Sequence, residues 1–210
     1  LTSPPASLCI LRLSAIGDIS HTLPVVRTLQ ARWPETRLTW IIGKTEYALV
    51  GDLPGIDFII FDKSRGWRAY LDVRRQLRDR RFDVLLHMQM ALRASLVSLL
   101  VDAPIKLGFD RARAKDAQWL FTNAQIAPHE REHVLDSLFG FSDALGATER
   151  LLRWDIPIPA AARRYAEEVL PGDQPTLIIS PCSSREHRNW TTEGYAAVAD
   201  YAVEQHGMRV

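Results

Sequence analysis

The sequence predicts an α/β fold with a doubly wound, mostly parallel sheet. Three observations carry that expectation. Short apolar runs with the length of buried strands alternate with longer stretches of helical apolar spacing. The 210 residues are 47% hydrophobic and 24% charged, ordinary for a globular chain and enough for one large α/β domain or one domain and part of another. Neither a short-period repeat nor a low-complexity segment interrupts the rhythm.

In order, "LCILRL" at 8–13 reads as the first strand, followed by a helix from Ile19 to Arg32 with Leu23, Val26 and Leu29 on one face. Pro24 falls in the first turns of that helix, where a missing N–H matters least. "RLTWII" (37–42), "IDFIIF" (56–61) and "FDVLLHM" (82–88) read as further strands, with helices near 45–50, 66–80 and 91–101. Helices follow near 116–121, 131–145 and 160–170. "PTLIIS" (175–180) is the last strand, and "TTEGYAAVADYAVEQHG" a helix stopped by Gly207. The prolines in 154–175 mark a boundary, after which the strand–helix rhythm restarts at Leu177. The remaining thirty-odd residues are too few to bury a core of their own, so either they pack on the first domain or, the favoured expectation, the chain is a piece of a longer protein.

No apolar run approaches the roughly 20 residues that span a bilayer, and the opening lacks the basic segment of a signal peptide. Cys9 and Cys182 are expected to be reduced, buried thiols in a cytoplasmic protein. The net charge of +1 hides a cluster: Lys63–Arg81 holds eight cations and two aspartates. Trp67 and Tyr70 stand among them, which permits stacking beside charge contact. The segment reads as a solvated helix face or an acceptor clamp, and a nucleic-acid partner is not expected because the whole domain is not basic.

Three loops could carry chemistry. In "SAIGD", Gly17 and Asp18 follow a strand and open a helix, where ligands collect in open α/β sheets. A single glycine excludes a dinucleotide fingerprint, and Asp18 reads equally as a helix N-cap. "SPCSSREHRNW" (180–190) sets Ser183, Ser184, Arg185 and Arg188 before another helix, a pattern suited to a diphosphate or to a plain polar loop capped by Thr191 or Thr192. "HEREH", His129–His133, satisfies H-E-x-x-H, so a zinc hydrolase with Glu130 as base is a competing reading. Pro128 would set that motif at the extreme start of its helix, without an evident third ligand. D-x-D, the common hint of a metal-bound diphosphate, does not occur.

Taken together, "ILRLSAIGDISHTLPVVRTLQARWP", "DKSRGWRAY", "FDVLLHMQMALRASLVSLL", "KLGFDRARAKDAQWLFTN", "HEREHVLDSLFGFSDALG" and "LIISPCSSREHRNWTTEGYAAVAD" resemble the bacterial lipopolysaccharide heptosyltransferases of glycosyltransferase family 9. The resemblance spans nearly the whole chain; its opening is a strand followed by S-x-x-G-D-x-x-x-x-x-P. It implies a Rossmann-like first domain of a two-domain GT-B transferase. Residues 1–157 would bind acceptor, 158–174 form a linker helix, and 175–210 begin an incomplete nucleotide-sugar domain. It implies an inverting, metal-independent enzyme without a cofactor, moving heptose from ADP-heptose to the lipopolysaccharide inner core at the cytoplasmic face of the inner membrane. Asp18 would be the base. Lys63, Arg65, Arg68, Gln89, Arg93, Lys115 and His133 would hold acceptor. Ser14, Gly17, Ser183, Ser184, Arg185 and Arg188 would hold donor, with Arg188 standing where the family usually has lysine. The family's later D-T-G-x-x-H loop is not in this sequence, so the chain alone is expected to bind acceptor without turning over. A non-catalytic carbohydrate-binding domain is the remaining alternative.

Overall fold

The structure, a computed structural model, describes residues 3–183 and 186–210. The chain divides into two compact units, Leu1–Pro157 and Ile158–Val210.

The first unit is a six-stranded sheet. Its strands are β1 (Ser7–Leu11), β2 (Arg37–Gly43), β3 (Ile56–Phe61), β4 (Val84–His87), β5 (Ile105–Gly108) and β6 (Ala124–Gln125). They lie in the order β3-β2-β1-β4-β5-β6, and every pair is parallel. The first four occupy the expected runs. The sequence reading missed β5 and β6 because they are only four and two residues long, and Lys106 interrupts the apolar character of β5.

Alternation along each strand splits the core into two layers. Leu8 and Ile10 of β1, Trp40 and Ile42 of β2, and Val84 and Leu86 of β4 face one layer. Helices α1 (Ile16–Arg32), α2 (Lys44–Val50) and α5 (Val134–Ala144) cover it with Leu23, Val26, Val50, Leu138 and Phe141. Cys9, Leu11, Ile41 and Leu85 face the other, under α3 (Arg68–Gln76) and α4 (Leu92–Ser98). Cys9 is a free, buried thiol whose pKa is pushed up by burial, which keeps it unreactive.

Helix α1 begins at Ile16, three residues earlier than the sequence suggested, so Pro24 lies in its interior. Proline there has no N–H for the carbonyl of Ser20, four residues back. The indole Nε1 of Trp154 donates to that carbonyl instead, at 2.9 Å. Leu151 N donates to Thr28 Oγ1 at 2.8 Å, and Arg27 pairs with Asp155 at 3.0 Å. Residues 151–155 therefore form a strap along α1.

Two expected helices change character. Asp116 and Ala117 take φ of 50° and 55°, so 116–121 holds only a 3₁₀ turn, Gln118–Leu120. Arg131 takes φ of 48°, a left-handed conformation that ends any helix through "HEREH", and α5 starts after it with His133 as N-cap.

The second unit holds α6 (Ala160–Val169), a 3₁₀ turn at Glu186–Arg188, and α7 (Thr192–His206). Thr191 caps α7 by accepting from Gly194 N, and Gly207, with φ of 58°, ends it. The expected strand 175–180 is absent. Thr176 makes a single bridge with Arg209, and Ile178 is 74% exposed, because a strand needs a neighbour of similar length to complete its ladder. Cys182 is exposed rather than buried. Ser184 and Arg185 lie outside the described residues.

Candidate active site

The sheet order reverses between β1 and β4, and the crevice beyond their carboxyl ends is where open α/β sheets hold ligands. The loop from β1 to α1 runs through it, with a cavity on either side.

The first cavity, of about 460 Å³, is lined by Arg12, Asp18, Phe109, Arg113, His129 and Glu132, among others. Asp18 stands at the third position of α1, not at the N-cap. Its Oδ2 accepts from Ala15 N at 3.2 Å and pairs with the Arg12 guanidinium. Both contacts fall on one oxygen, and among the described residues Oδ1 has no protein partner. The side chain is 37% exposed. The carboxylate is thus gripped from one side and open on the other.

Arg12 is a residue that the sequence reading passed over as part of a strand. It is buried, donates to Met88 O, and pairs with Asp18. Burial draws its pKa below the ordinary value and Asp18 opposes that, but a guanidinium keeps its charge throughout. Its Nε is buried without a hydrogen bond.

Across the cavity, Arg113 ties three segments together. It pairs with Asp110 and Glu132 and donates to Ser137 Oγ at 2.9 Å and Ala127 O at 2.8 Å. Burial pushes the Asp110 carboxyl upward, yet hydrogen bonds from Arg113 outweigh it and hold the group below the usual range. This network fixes the segment that carries His129.

"HEREH" therefore does not set its histidines one helical turn apart. His133 Nδ1 accepts from Leu135 N at 3.1 Å as the cap of α5, and its ring meets His21 edge-on at 5.3 Å. Glu130 is exposed, and among the described residues no group of three His, Cys, Asp or Glu side chains could hold a metal ion. The geometry that the zinc reading needs is not formed.

The second cavity, of about 590 Å³, is lined by Ser14, Lys44, Asp62, Lys63, Gln89 and Arg93, among others. Among the described residues neither Lys63 nor Arg93 forms an ion pair. Lys44 pairs with Asp62 at 3.1 Å. Hydrogen bonds from Ser64 and then from Lys44 hold the Asp62 carboxyl down at about 2. Glu46 and Asp116 also line the cavity, so it offers carboxylates beside cations. Gly43 closes its floor: a Cβ there would stand 2.3 Å from Leu13 O, so only glycine lets β2 pass the end of β1.

Two amides hold the cavities in register. Gln89 Oε1 accepts from Leu13 N at 2.7 Å, and its Nε2 donates to Ser14 Oγ at 3.0 Å. Buried Gln118 donates to His87 O at 2.8 Å and to Gln89 O at 3.3 Å, and accepts from Phe109 N at 3.1 Å. Nothing in the sequence marked Gln118, whose role depends on the ends of β4 and β5 meeting.

The candidates of the sequence reading thus separate. Ser14, Lys63, Gln89 and Arg93 share one cavity, and Asp18 faces the other. Arg65 pairs with Asp72 at 2.8 Å, and Arg68 lies 5.9 Å from the Trp67 ring centroid. Lys115 is exposed and lines neither cavity. A Cβ on Gly17 would meet nothing within 4 Å, so open space rather than packing surrounds it. In the second unit, Arg188 is exposed in its 3₁₀ turn, and Ser183 N donates to Asn189 Oδ1 at 2.7 Å.

Fold and crevice together define an open α/β protein with its polar site at the switch point of a parallel sheet. The chain belongs to glycosyltransferase family 9 (heptosyltransferase), whose description matches residues 70–210. It is 42% identical over 209 residues to the lipopolysaccharide core heptosyltransferase OpsX of Haemophilus influenzae, covering 100% of this chain and 60% of that protein. It is 20% identical to a lipopolysaccharide heptosyltransferase 3 of Escherichia coli, over 92% of this chain and 59% of that protein. Its fold is similar to that of a glycosyl transferase family 9 protein from Veillonella parvula, with a TM-score of 0.77 and 21% identity over 93% of this chain and 59% of that one. It is also similar to E. coli heptosyltransferase WaaC with ADP-2-deoxy-2-fluoro heptose, with a TM-score of 0.72 and 18% identity over 95% of this chain and 66% of that one. The chain spans about three fifths of the length of the curated relatives it matches.

Proposed function

We propose that this chain forms the acceptor side of an inverting, metal-independent heptosyltransferase of GT-B architecture. The enzyme moves heptose from ADP-heptose to the lipopolysaccharide inner core, at the cytoplasmic face of the inner membrane. Family membership and the 42% identity to OpsX support the reaction class. In this reading 1–157 binds acceptor, 158–174 links, and 175–210 begins the donor domain with Arg188 and the serines of its loop facing the diphosphate.

One observation carries the reading: Asp18 is fixed through Oδ2 by Arg12 and Ala15 while Oδ1 is left open in a cavity. A general base needs that combination of fixed orientation and a free lone pair. Oδ1 takes the proton of the acceptor hydroxyl as its oxygen bonds to the anomeric carbon. The bond from that carbon to the diphosphate oxygen breaks on the opposite face, and the nucleoside diphosphate leaves with the electron pair. The cavity of Lys63 and Arg93 suits an acidic sugar, with cations for its carboxylate or phosphate and Asp62, Glu46 and Asp116 for its hydroxyls.

The test is Asp18→Asn in the full-length protein, assayed with ADP-heptose and a lipopolysaccharide-core acceptor. The amide preserves shape and an acceptor for Ala15 N, so circular dichroism stays as in the wild type. Turnover is expected to fall by about 10³-fold. Wild-type turnover in that variant overturns the assignment.

A further inference from the structure

Helices α3 and α4 cover the same face of the sheet, burying Ala69, Val73 and Leu77 from one and Ala94 and Val97 from the other. Their outward faces are unusual for solvent. Trp67 at the N-cap of α3, Leu71, Arg74 and Arg75 on it, and Arg78 in the turn after it recur at helical spacing along one side. Trp67 is 68% exposed and Leu71 44%. On α4 and its C-cap the outward positions are Leu92, Leu96 and Leu99, at 51%, 41% and 60%. Leu100, just after α4, meets Leu71, Leu77 and the three arginines around an open hollow of about 650 Å³.

Cations outnumber carboxylates on this face. Asp72 is shared between Arg65 and Arg75, and Asp79 lies 3.8 Å from Arg78 with both side chains almost fully exposed. Among the described residues Arg74 has no carboxylate partner. Arginines interleaved with exposed leucines and a tryptophan complement a surface that is anionic outside and apolar just beneath. Among the described residues no helix is long and apolar enough to cross a membrane.

We infer that the outer face of α3 and α4 is a docking surface for an anionic phospholipid bilayer. Guanidinium groups of Arg74, Arg75 and Arg78 pair with lipid phosphates, and Leu71, Leu96 and Leu99 enter the interfacial layer. Leu92 and Arg93 begin α4 and also line the cavity of Lys63, so the docking face ends at the rim of that cavity. A lipid-linked acceptor head could then enter without leaving the surface, and this part of the inference rests on the proposed function.

The experiment is vesicle flotation of the full-length protein. Vesicles of phosphatidylglycerol with phosphatidylethanolamine are compared with phosphatidylcholine alone. The wild type is expected to float with the anionic vesicles only. Arg74→Gln with Arg78→Gln lowers partitioning by about tenfold or more, and high salt brings the wild type down towards that level. Leu96→Ser with Leu99→Ser lowers it at every salt concentration. Heptose transfer to a delipidated, water-soluble core fragment stays at the wild-type rate in both variants. If the wild type itself shows no such transfer, the transferase reading fails while the flotation result still decides the docking face. Wild-type flotation by both variants overturns the inference. So does a dimer, seen by sedimentation velocity, that the leucine substitutions dissociate.

Discussion

The two cavities beside the β1–α1 loop are built from similar side chains to different ends. In the Asp18 cavity the charges are cross-tied: Arg12 holds Asp18, and Arg113 holds Asp110 and Glu132. In the other, Lys63 and Arg93 stand without carboxylate partners among the described residues. Fixed charge suits a proton transfer, where an error of an ångström is costly. Unpaired charge on long stems suits the capture of an anionic ligand that arrives in several poses. The difference separates turnover from binding, and mutation can test that division.

The largest effect is expected from Arg113→Ala. It leaves Asp110, 5% exposed, and Glu132 as half-buried or buried carboxylates without their cation. Breaking such a network costs about 3–5 kcal/mol. Urea denaturation should show the loss, with proteolysis beginning in 127–133. A variant as stable as the wild type would mean that the cross-ties do not hold this cavity.

A smaller effect is expected from the buried end of β4, whose last carbonyl accepts from Gln118. His87 is fully buried on β4, its Nε2 lies 3.2 Å from Ser95 Oγ, and Nδ1 has no partner. Burial lowers its pKa from 6.5 to about 3, with Lys106 adding to the shift. Between those values the unfolded chain binds a proton that the native chain does not, so stability falls as pH drops below 6.5. The loss from His87 alone is about 2 kcal/mol between pH 8 and pH 5. His87→Gln should shrink the acid loss, read as the change in urea midpoint, by that amount. An unchanged loss would remove His87 from the account.

The smallest effect is expected in the open cavity. Lys63→Ala should raise KM for acceptor by about tenfold with kcat nearly unchanged, and added salt should narrow the gap. A fall in kcat instead would erase the distinction between the two cavities.

Much of this was legible because it is local. The run "LCILRL" and the glycine-aspartate pair after it placed a crevice at the end of β1, and Thr191 and Gly207 marked the ends of α7. The start of α1 was missed because Ala15 offers no capping side chain, while Asp18 reaches back from the third helical position to its backbone N–H. "HEREH" misled because the left-handed Arg131 breaks the helix that the pattern needs and leaves no trace in five residues.

The sequence by itself determined the strand–helix alternation, which follows from the period of its apolar residues, and its motifs carried the resemblance to the family. Tertiary structure alone decided that Trp154 answers the carbonyl freed by Pro24, that Gln118 joins the ends of β4 and β5, and that Asp18 keeps one oxygen open. The first two depend on groups far apart in the chain meeting at hydrogen-bond distance, and the third on Phe109, Arg113 and Leu138 enclosing a cavity beside a local ion pair; such meetings are set by how the sheet is wound.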